Sequence, residues 1–475
     1  MALERVFRNR VHNDFLHTPK RGSFKVKKKN SFTHRLKQNC KRYMKLCLET
    51  SSIHGLNHLV AAGRHPLEVI LWLIIVGLSV FGSFYLSQTT WSRYQSSPTV
   101  ISMDRDMFAW NTTFPCVTIC PDKKLDKGKL EAYLRNSPET NKTELEEFIR
   151  AVANATYDNF NDIPDYDKIP PEDYVDLMLN LSAVFAPTLT VGVTGVIMQI
   201  VPTITEMGLC YAVNCKAAVY NSPWYRKANK WKPIKHNKTL YIHPLDGEVF
   251  AQVVNLSTGY SVFLHEPQEV PDLVSRHYHS TEGFYMKLYV TAVTVYTAPD
   301  AAKLSIAQRR CRFPHENNLK HNSIYTYAMC RMECRIKLCL KYCKCIPHFY
   351  RNIGDEKICD TKGLKCLAEY KESLFRLQDI DGKKINCDCL PLCDDVNYVI
   401  QSNALQPWFM GTNLQWGMVT YPRMRFRRDI IFGFTDVLVA VGGMAGLFLG
   451  CSVLSFMEII YFLTLRLVCY ARTHQ

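Results

Sequence analysis

At 475 residues, with 47% hydrophobic side chains and a formal charge of +15, the chain is too long for one small domain and too ordinary in composition for a disordered or fibrous protein. The charge is concentrated: residues 1–66 hold 15 Lys and Arg against Glu4, Asp14 and Glu49, which is +12 of the total. The basic character therefore belongs to one flank and not to the whole surface.

Within that flank the run Lys25, Lys27, Lys28, Lys29 invites a nucleic-acid reading, but an apolar segment follows it. From Leu67 to Leu86 only Glu68 is charged, and 20 residues at about 1.5 Å each match a hydrocarbon layer of roughly 30 Å. A membrane helix is expected over 67–88, with a cytoplasmic N-terminal region over 1–66. The flanking lysines then follow the positive-inside rule and face anionic lipid, and no nucleic-acid partner is expected. Because the segment starts only at Leu67 and no small-residue cleavage site follows it, it does not read as a signal peptide.

The next stretch, 89–433, is expected to lie outside the cell. All six N-x-Ser/Thr sequons fall in it (Asn111, Asn141, Asn154, Asn180, Asn237, Asn255), as do 15 of the 19 cysteines. Residues 129–154 have helical spacing with few apolar positions and predict an exposed helical element, 221–238 predicts a polar, basic loop, and the alternation in Phe284–Tyr296 predicts a strand. His265-Glu266 and His315-Glu316 lack the second histidine of a zinc-protease motif, and no P-loop or nucleophile elbow occurs. They read as ordinary surface dipeptides, and no enzyme is expected.

The cysteines cluster between Cys311 and Cys393. Their C-x3-C and C-x-C intervals allow zinc, but geometry in an oxidising compartment favours disulfides. Cys330 and Cys334 share one face of a helix over about 6 Å, and Cys387 and Cys389 share one face of a strand over about 6.6 Å. An antiparallel helix and strand would be stapled as Cys330–Cys389 and Cys334–Cys387, with Cys311–Cys393 closing the nest. Fifteen is odd, and Cys339, which interrupts the scheme, is the candidate unpaired thiol.

From Val437 to Met457 a second run has no charge, bracketed by Asp436 and Glu458, and a second span is assigned to 434–465 with a cytoplasmic tail at 466–475. Gly442, Gly446 and Gly450 stack on one helical face, which close packing of membrane helices explains. Packing does not explain Gly450-Cys451-Ser452, three small residues in succession near mid-membrane. There the backbone is expected to leave the helix, and its free carbonyls are tolerable only facing water or an ion. On an unbroken helix Asp436 and Glu458 would stand about 33 Å apart, one at each interface, where both would attract cations. Two spans cannot enclose a pore, so an oligomer is implied.

Several strings now carry a resemblance: SIHGLNHL (Ser52–Leu59), FPCVTIC (Phe114–Cys120), EMGLCYAVN (Glu206–Asn214), QRRC (Gln308–Cys311), the cysteine series ending in IPHFY, CDCLPLC, and GLFLGCSVLSFMEIIYFLTLR (Gly446–Arg466). The chain resembles the degenerin/epithelial sodium channel family, most nearly its insect pickpocket branch. The resemblance implies a trimer, homomeric or formed with related subunits, in the plasma membrane, with both termini cytoplasmic. Its extracellular part would be a disulfide-rich mixed α/β domain of palm, β-ball, finger, thumb (about 304–398) and knuckle.

It also implies that Gly450, Cys451 and Ser452 form a sodium-selective constriction, that His54 and Gly55 govern gating, and that the position where bulky residues hold such channels open falls at Val439, beside Ala440. Family pairing implies Cys120–Cys210, Cys343–Cys366 and Cys345–Cys359, with the surplus Cys116 and Cys215 flanking the first as an added bridge. Departures are the larger Val439, the QRR in place of the tryptophan that couples thumb to membrane in acid-sensing members, and the lack of a PPxY in the tail. Cys47 and Cys469 are candidate palmitoylation sites.

The expectation is a subunit of a sodium-selective, voltage-independent, amiloride-sensitive, sensory cation channel, gated by ligand or force at its extracellular domain. Sodium is the permeant ion, and no cofactor or resident metal is expected. The rival is a non-conducting receptor or regulatory subunit on the same scaffold. A purinergic-type trimer would share the topology but requires a different cysteine series and a lysine-lined nucleotide site.

Overall fold

The computed structural model describes residues 32–61, 63–192, 198–227 and 239–473. Lys25, Lys27, Lys28, Lys29, the sequon at Asn237 and most of the loop expected at 221–238 lie outside them. The chain divides into two compact units, one of Met1–Trp91 with Thr435–Gln475, the other of Ser92–Phe434.

In the first unit, a helix over Phe32–Thr50 is followed by a short helix, Leu56–Val60, and by the apolar helix Pro66–Ser96, whose last five residues are counted with the second unit. Pro66 suits a first helical position, where no N–H is needed. The helix runs past the expected end at 88, to 31 residues in all. The C-terminal apolar stretch is two helices and not one: Phe434–Leu449 and Val453–Tyr461, the latter prolonged by a π-turn over Phe462–Arg466 and by Leu467–Thr473. Helix therefore continues past 465, into the expected tail. Large apolar side chains stand exposed along both pieces, among them Val439, Leu447, Val453 and Leu454, as befits surfaces facing lipid or neighbouring chains.

The second unit is built on two sheets. A mixed seven-stranded sheet centres on Phe284–Thr297, which pairs parallel with Thr412–Met418 and Arg425–Ile430 and antiparallel with Asp395–Pro407. That central strand alternates as its sequence predicts, with Met286, Leu288, Val290 and Ala292 turned into the core. A five-stranded antiparallel sheet centres on the wholly buried strand Cys116–Pro121, paired with Gly208–Val213 and Tyr260–His265. A core of Phe114, Val117, Ile119, Val262, Leu288, Leu414 and Trp416 forms here. The indole N–H of Trp416 donates to the Pro115 carbonyl at 3.1 Å, so burying this ring strands no polar group.

A second core gathers helices. The helical element expected over 129–154 is present but not merely exposed: Lys127–Asn136 and Lys142–Ala153 bury one face each, through Leu130 and Leu134 and through Leu145, Phe148, Ile149 and Val152. Spacings of three and four make a narrow stripe sufficient, however polar the average. Of the expected loop at 221–238, Pro223–Arg226 is a helical turn capped by Ser222.

Seven disulfides brace this unit: Cys116–Cys215, Cys120–Cys210, Cys311–Cys393, Cys330–Cys389, Cys334–Cys387, Cys343–Cys366 and Cys345–Cys359. Cys330 and Cys334 ride the helix Tyr327–Cys343, whose start is capped by Thr326. Their partners do not lie on a strand. Residues 386–391 are irregular, and Asp388, at φ 52°, turns left-handed between the two cysteines while both still reach the helix, with Cα separations of 5.7 and 5.8 Å. Aspartate tolerates that conformation better than most residues. Cys339 is buried and free, its thiol 3.5 Å from the Tyr157 hydroxyl, and burial pushes its pKa up to about 12. The described sequon residues Asn111, Asn141, Asn154, Asn180 and Asn255 are all exposed.

Candidate functional site

The interruption between the two C-terminal helices begins at Gly450, whose φ of 64° is left-handed. Its N–H still bonds the Gly446 carbonyl at 2.9 Å, and the Cys451 N–H reaches back to Ala445 at 3.3 Å, a capping pattern that closes the helix. Ser452 then starts the next helix. Its hydroxyl accepts the Ser455 N–H at 3.4 Å, while the Ser455 hydroxyl accepts the Ser452 N–H at 3.2 Å, a reciprocal capping box. A residue free to turn left-handed followed by a strong cap is thus what ends one helix and begins another.

The carbonyl oxygens of Leu447, Phe448, Gly450 and Cys451 accept no hydrogen bond among the described residues. That of Leu449 accepts the His54 N–H at 3.0 Å. The histidine ring lies directly on Gly450: a Cβ there would fall 1.9 Å from His54 Nδ1. Gly55, at φ 89°, turns the chain beside it, and a Cβ at that residue would meet Val76 Cγ2 at 2.8 Å. His54, Gly55 and Gly450 therefore interlock, a contact between the two ends of the chain that neither motif announces alone.

Two further residues of the N-terminal segment reach the second of these helices. Ser52 donates its N–H to Glu458 Oε2 at 3.1 Å and its hydroxyl to Ser455 Oγ at 2.9 Å. Tyr43, buried, donates its hydroxyl to the Phe462 carbonyl and sets its ring 4.9 Å from that of Tyr470. Asp436 and Glu458 do not share one unbroken helix. Asp436 sits in the first turn of Phe434–Leu449, where a helix N-terminus favours an anion, and Glu458 belongs to the piece beyond the break. Val439 and Ala440 lie on Phe434–Leu449 about 16 Å before Gly450 and are not drawn into the break. Cys47 is half-buried on the N-terminal helix, and Cys469 is exposed.

The disulfide-rich unit gives its motif residues structural work. Glu206 and Arg335 are fully buried, 3.1 Å apart, and Arg335 also meets Asp272 at 2.7 Å. The Tyr350 hydroxyl bonds Glu206 and lies 3.2 Å from that of Tyr157. Burial pushes the Glu206 carboxyl up, beyond what Arg335 counters. At Asp272 burial acts the same way, but the guanidinium groups of Arg335 and Arg331 outweigh it and hold the carboxyl low. His321 is clasped by two carboxylates, Glu333 at 2.7 Å and Glu356 at 2.9 Å. In QRRC, Gln308 donates to the Tyr94 carbonyl at 3.3 Å, and buried Arg309 bonds the carbonyls of Ala302, Leu304 and Cys311 and the carboxylate of Glu316.

His265-Glu266 is not a surface dipeptide. Glu266 is buried, and His265, 2.8 Å from Thr118 Oγ1, has its pKa pushed down to about 4 by burial. Cys116, Cys215 and His265 converge, but the two sulfurs are joined to each other, which leaves no thiolate to hold a metal.

An interrupted apolar segment at one end, an apolar helix at the other and a large disulfide-braced α/β domain between them in sequence define a two-span membrane protein with an extracellular domain. The chain belongs to the amiloride-sensitive sodium channel family, which it matches over residues 47–462. It is similar to the sodium channel protein Nach of Drosophila melanogaster, 23% identical over 475 residues that cover 88% of this chain and 86% of the relative. Pickpocket protein 19 of the same fly is 24% identical, covering 94% and 92%. Acid-sensing ion channel 4 of Rattus norvegicus is 21% identical, covering 86% and 77%. These relatives are ion channels and not enzymes.

Proposed function

We propose that this chain is a subunit of a sodium-selective, voltage-independent, amiloride-sensitive cation channel, gated through its extracellular domain and serving sensory signalling. It works in the plasma membrane with both termini cytoplasmic, as a trimer of identical or related chains. One observation carries the reading: the four carbonyls at Leu447, Phe448, Gly450 and Cys451 that the broken helix leaves without partners among the described residues. An unsatisfied carbonyl in lipid costs several kcal/mol, so four together belong against an aqueous path. Repeated around a threefold axis, these oxygens replace part of a sodium ion's hydration shell, while Glu458 enriches cations beside them. The names of the relatives support sodium as the permeant ion.

The test is the reversal potential of Ser452→Cys in cells expressing the chain alone and with related subunits. Ser452 lines the break without filling a crowded site, so the variant is expected to conduct with an altered sodium-to-potassium permeability ratio. An unchanged ratio in a conducting variant removes the filter assignment. Surface expression of the native chain without current in any combination favours the non-conducting receptor.

A further inference from the structure

A cavity of about 420 Å³ opens in the disulfide-rich unit where its two sheets diverge. One wall comes from the strands Tyr260–His265 and His277–Ser280 of the five-stranded sheet, the other from residues 397–400 of Asp395–Pro407. Among the described residues His277–Ser280 pairs only with Tyr260–His265, and Asp395–Pro407 only with Phe284–Thr297, so each ends its sheet. The volume falls in the range of small-molecule sites, roughly 300–1,000 Å³. The rings of Phe263, Tyr278 and Tyr398 line it, with Val399 beside them. The Tyr398 hydroxyl is already bonded to Thr113. The Arg276 guanidinium, the Tyr278 hydroxyl and the Asn397 side-chain amide, all on the lining, have no hydrogen-bond or ion-pair partner among the described residues. No carboxylate lines the cavity among those residues. Asp272, next to Pro271 on its wall, is held by Arg335 and Arg331 instead. His265 has both ring nitrogens in contact, with Thr118 Oγ1 at 2.8 Å and the Glu266 carbonyl at 3.0 Å, and burial holds its pKa down at about 4, so it adds no charge at neutral pH. The lining therefore carries one uncompensated positive charge, and the guanidinium fork that supplies it matches a carboxylate.

We propose that this cavity binds a small aromatic carboxylate, its ring against Phe263 and Tyr278 and its carboxylate on Arg276, with the Asn397 amide as a second donor. An aromatic wall favours a flat ring, which also gives up less rotamer freedom on binding than a flexible chain does. Such a ligand touches both sheets at once and joins two edges that no strand joins. The site belongs to the disulfide-rich unit alone, so binding there requires neither a pore nor a current.

The experiment is equilibrium dialysis of 2-naphthoate against the full chain in lipid nanodiscs, with empty nanodiscs as the blank. The native chain is expected to show one saturable site within the millimolar range. The uncharged 2-naphthamide on the native chain, and 2-naphthoate on Arg276→Gln, are each expected to bind roughly ten- to hundredfold more weakly, the worth of a hydrogen bond between charged groups. Arg276→Lys keeps the charge without the fork and should fall between the two. Val399→Trp fills the cavity from the opposite wall and should abolish binding. Arg276 is exposed and bonded to nothing described, so its replacement is not expected to disturb the fold. Should that variant still fail to assemble, Val399→Trp decides the matter. Equal binding by the native chain and Arg276→Gln, or by the acid and its amide, overturns the inference, as does the lack of any saturable binding. Decanoate binding tighter than 2-naphthoate overturns the choice of an aromatic body. A chain that conducts without binding 2-naphthoate sinks this inference alone, and one that binds it without conducting sinks only the channel reading.

Discussion

Gly450→Ala strikes the interlock at two points whose costs are separable. A left-handed backbone costs a residue with a Cβ about 1–2 kcal/mol. The new methyl would lie 1.9 Å from His54 Nδ1, so the ring must withdraw by more than an ångström, carrying with it the His54 N–H bond to Leu449, worth about 0.5–1.5 kcal/mol net. Together these amount to about 1.5–3.5 kcal/mol, a factor of roughly ten to several hundred in the population of the interlocked arrangement. Removing the ring by His54→Ala should return the steric share and leave only the backbone share. Current per surface channel is therefore expected to fall steeply in Gly450→Ala and to recover in part in His54→Ala/Gly450→Ala, with a coupling beyond additivity in the double-mutant cycle. If Gly450→Ala conducts normally, or His54→Ala fails to relieve it at all, the interlock is wrong.

Other consequences fall in the disulfide-rich unit. Arg335→Met leaves Glu206 buried without its cation and Asp272 with Arg331 alone, a loss of about 3–5 kcal/mol, and should abolish surface abundance measured by biotinylation. At His321 burial lowers the pKa, but the bonds to Glu333 and Glu356 outweigh it and the net shift is upward. Its stabilisation is thus complete below the ordinary imidazole value and lost as pH rises through the elevated folded one. Proteolysis of the surrounding loops should accelerate between mildly acidic and alkaline pH in the native chain and lose that dependence in His321→Gln. Cys339, buried with its pKa up at about 12, should resist an impermeant maleimide on intact cells, and labelling there would contradict its burial.

Much of this was legible in the chain because the signals were local. Three small residues in an apolar run marked the break, and the spacing of Cys330 and Cys334 on a helix marked the nested bridges. What escaped was of two kinds. The left-handed turn at Asp388 replaced the expected strand, because one residue at positive φ lets two cysteines reach a helix as well as a pleat does. The meetings of His54 with Gly450 and of Ser52 with Ser455 join segments from opposite ends of the chain, and nothing in either stretch encodes its partner. Likewise Glu266 read as surface because sequence shows charge and not depth.

The bridges also bear on mechanics. Tension entering the disulfide-rich domain through its two chain ends follows covalent bonds, and Cys116–Cys215 and Cys311–Cys393 offer it shortcuts across 99 and 82 residues. The segments 117–214 and 312–392, which include the paired helices and the cysteine helix, hang from the stressed backbone as closed loops. A pull is carried by the remaining strands, and those loops can shift without being stretched.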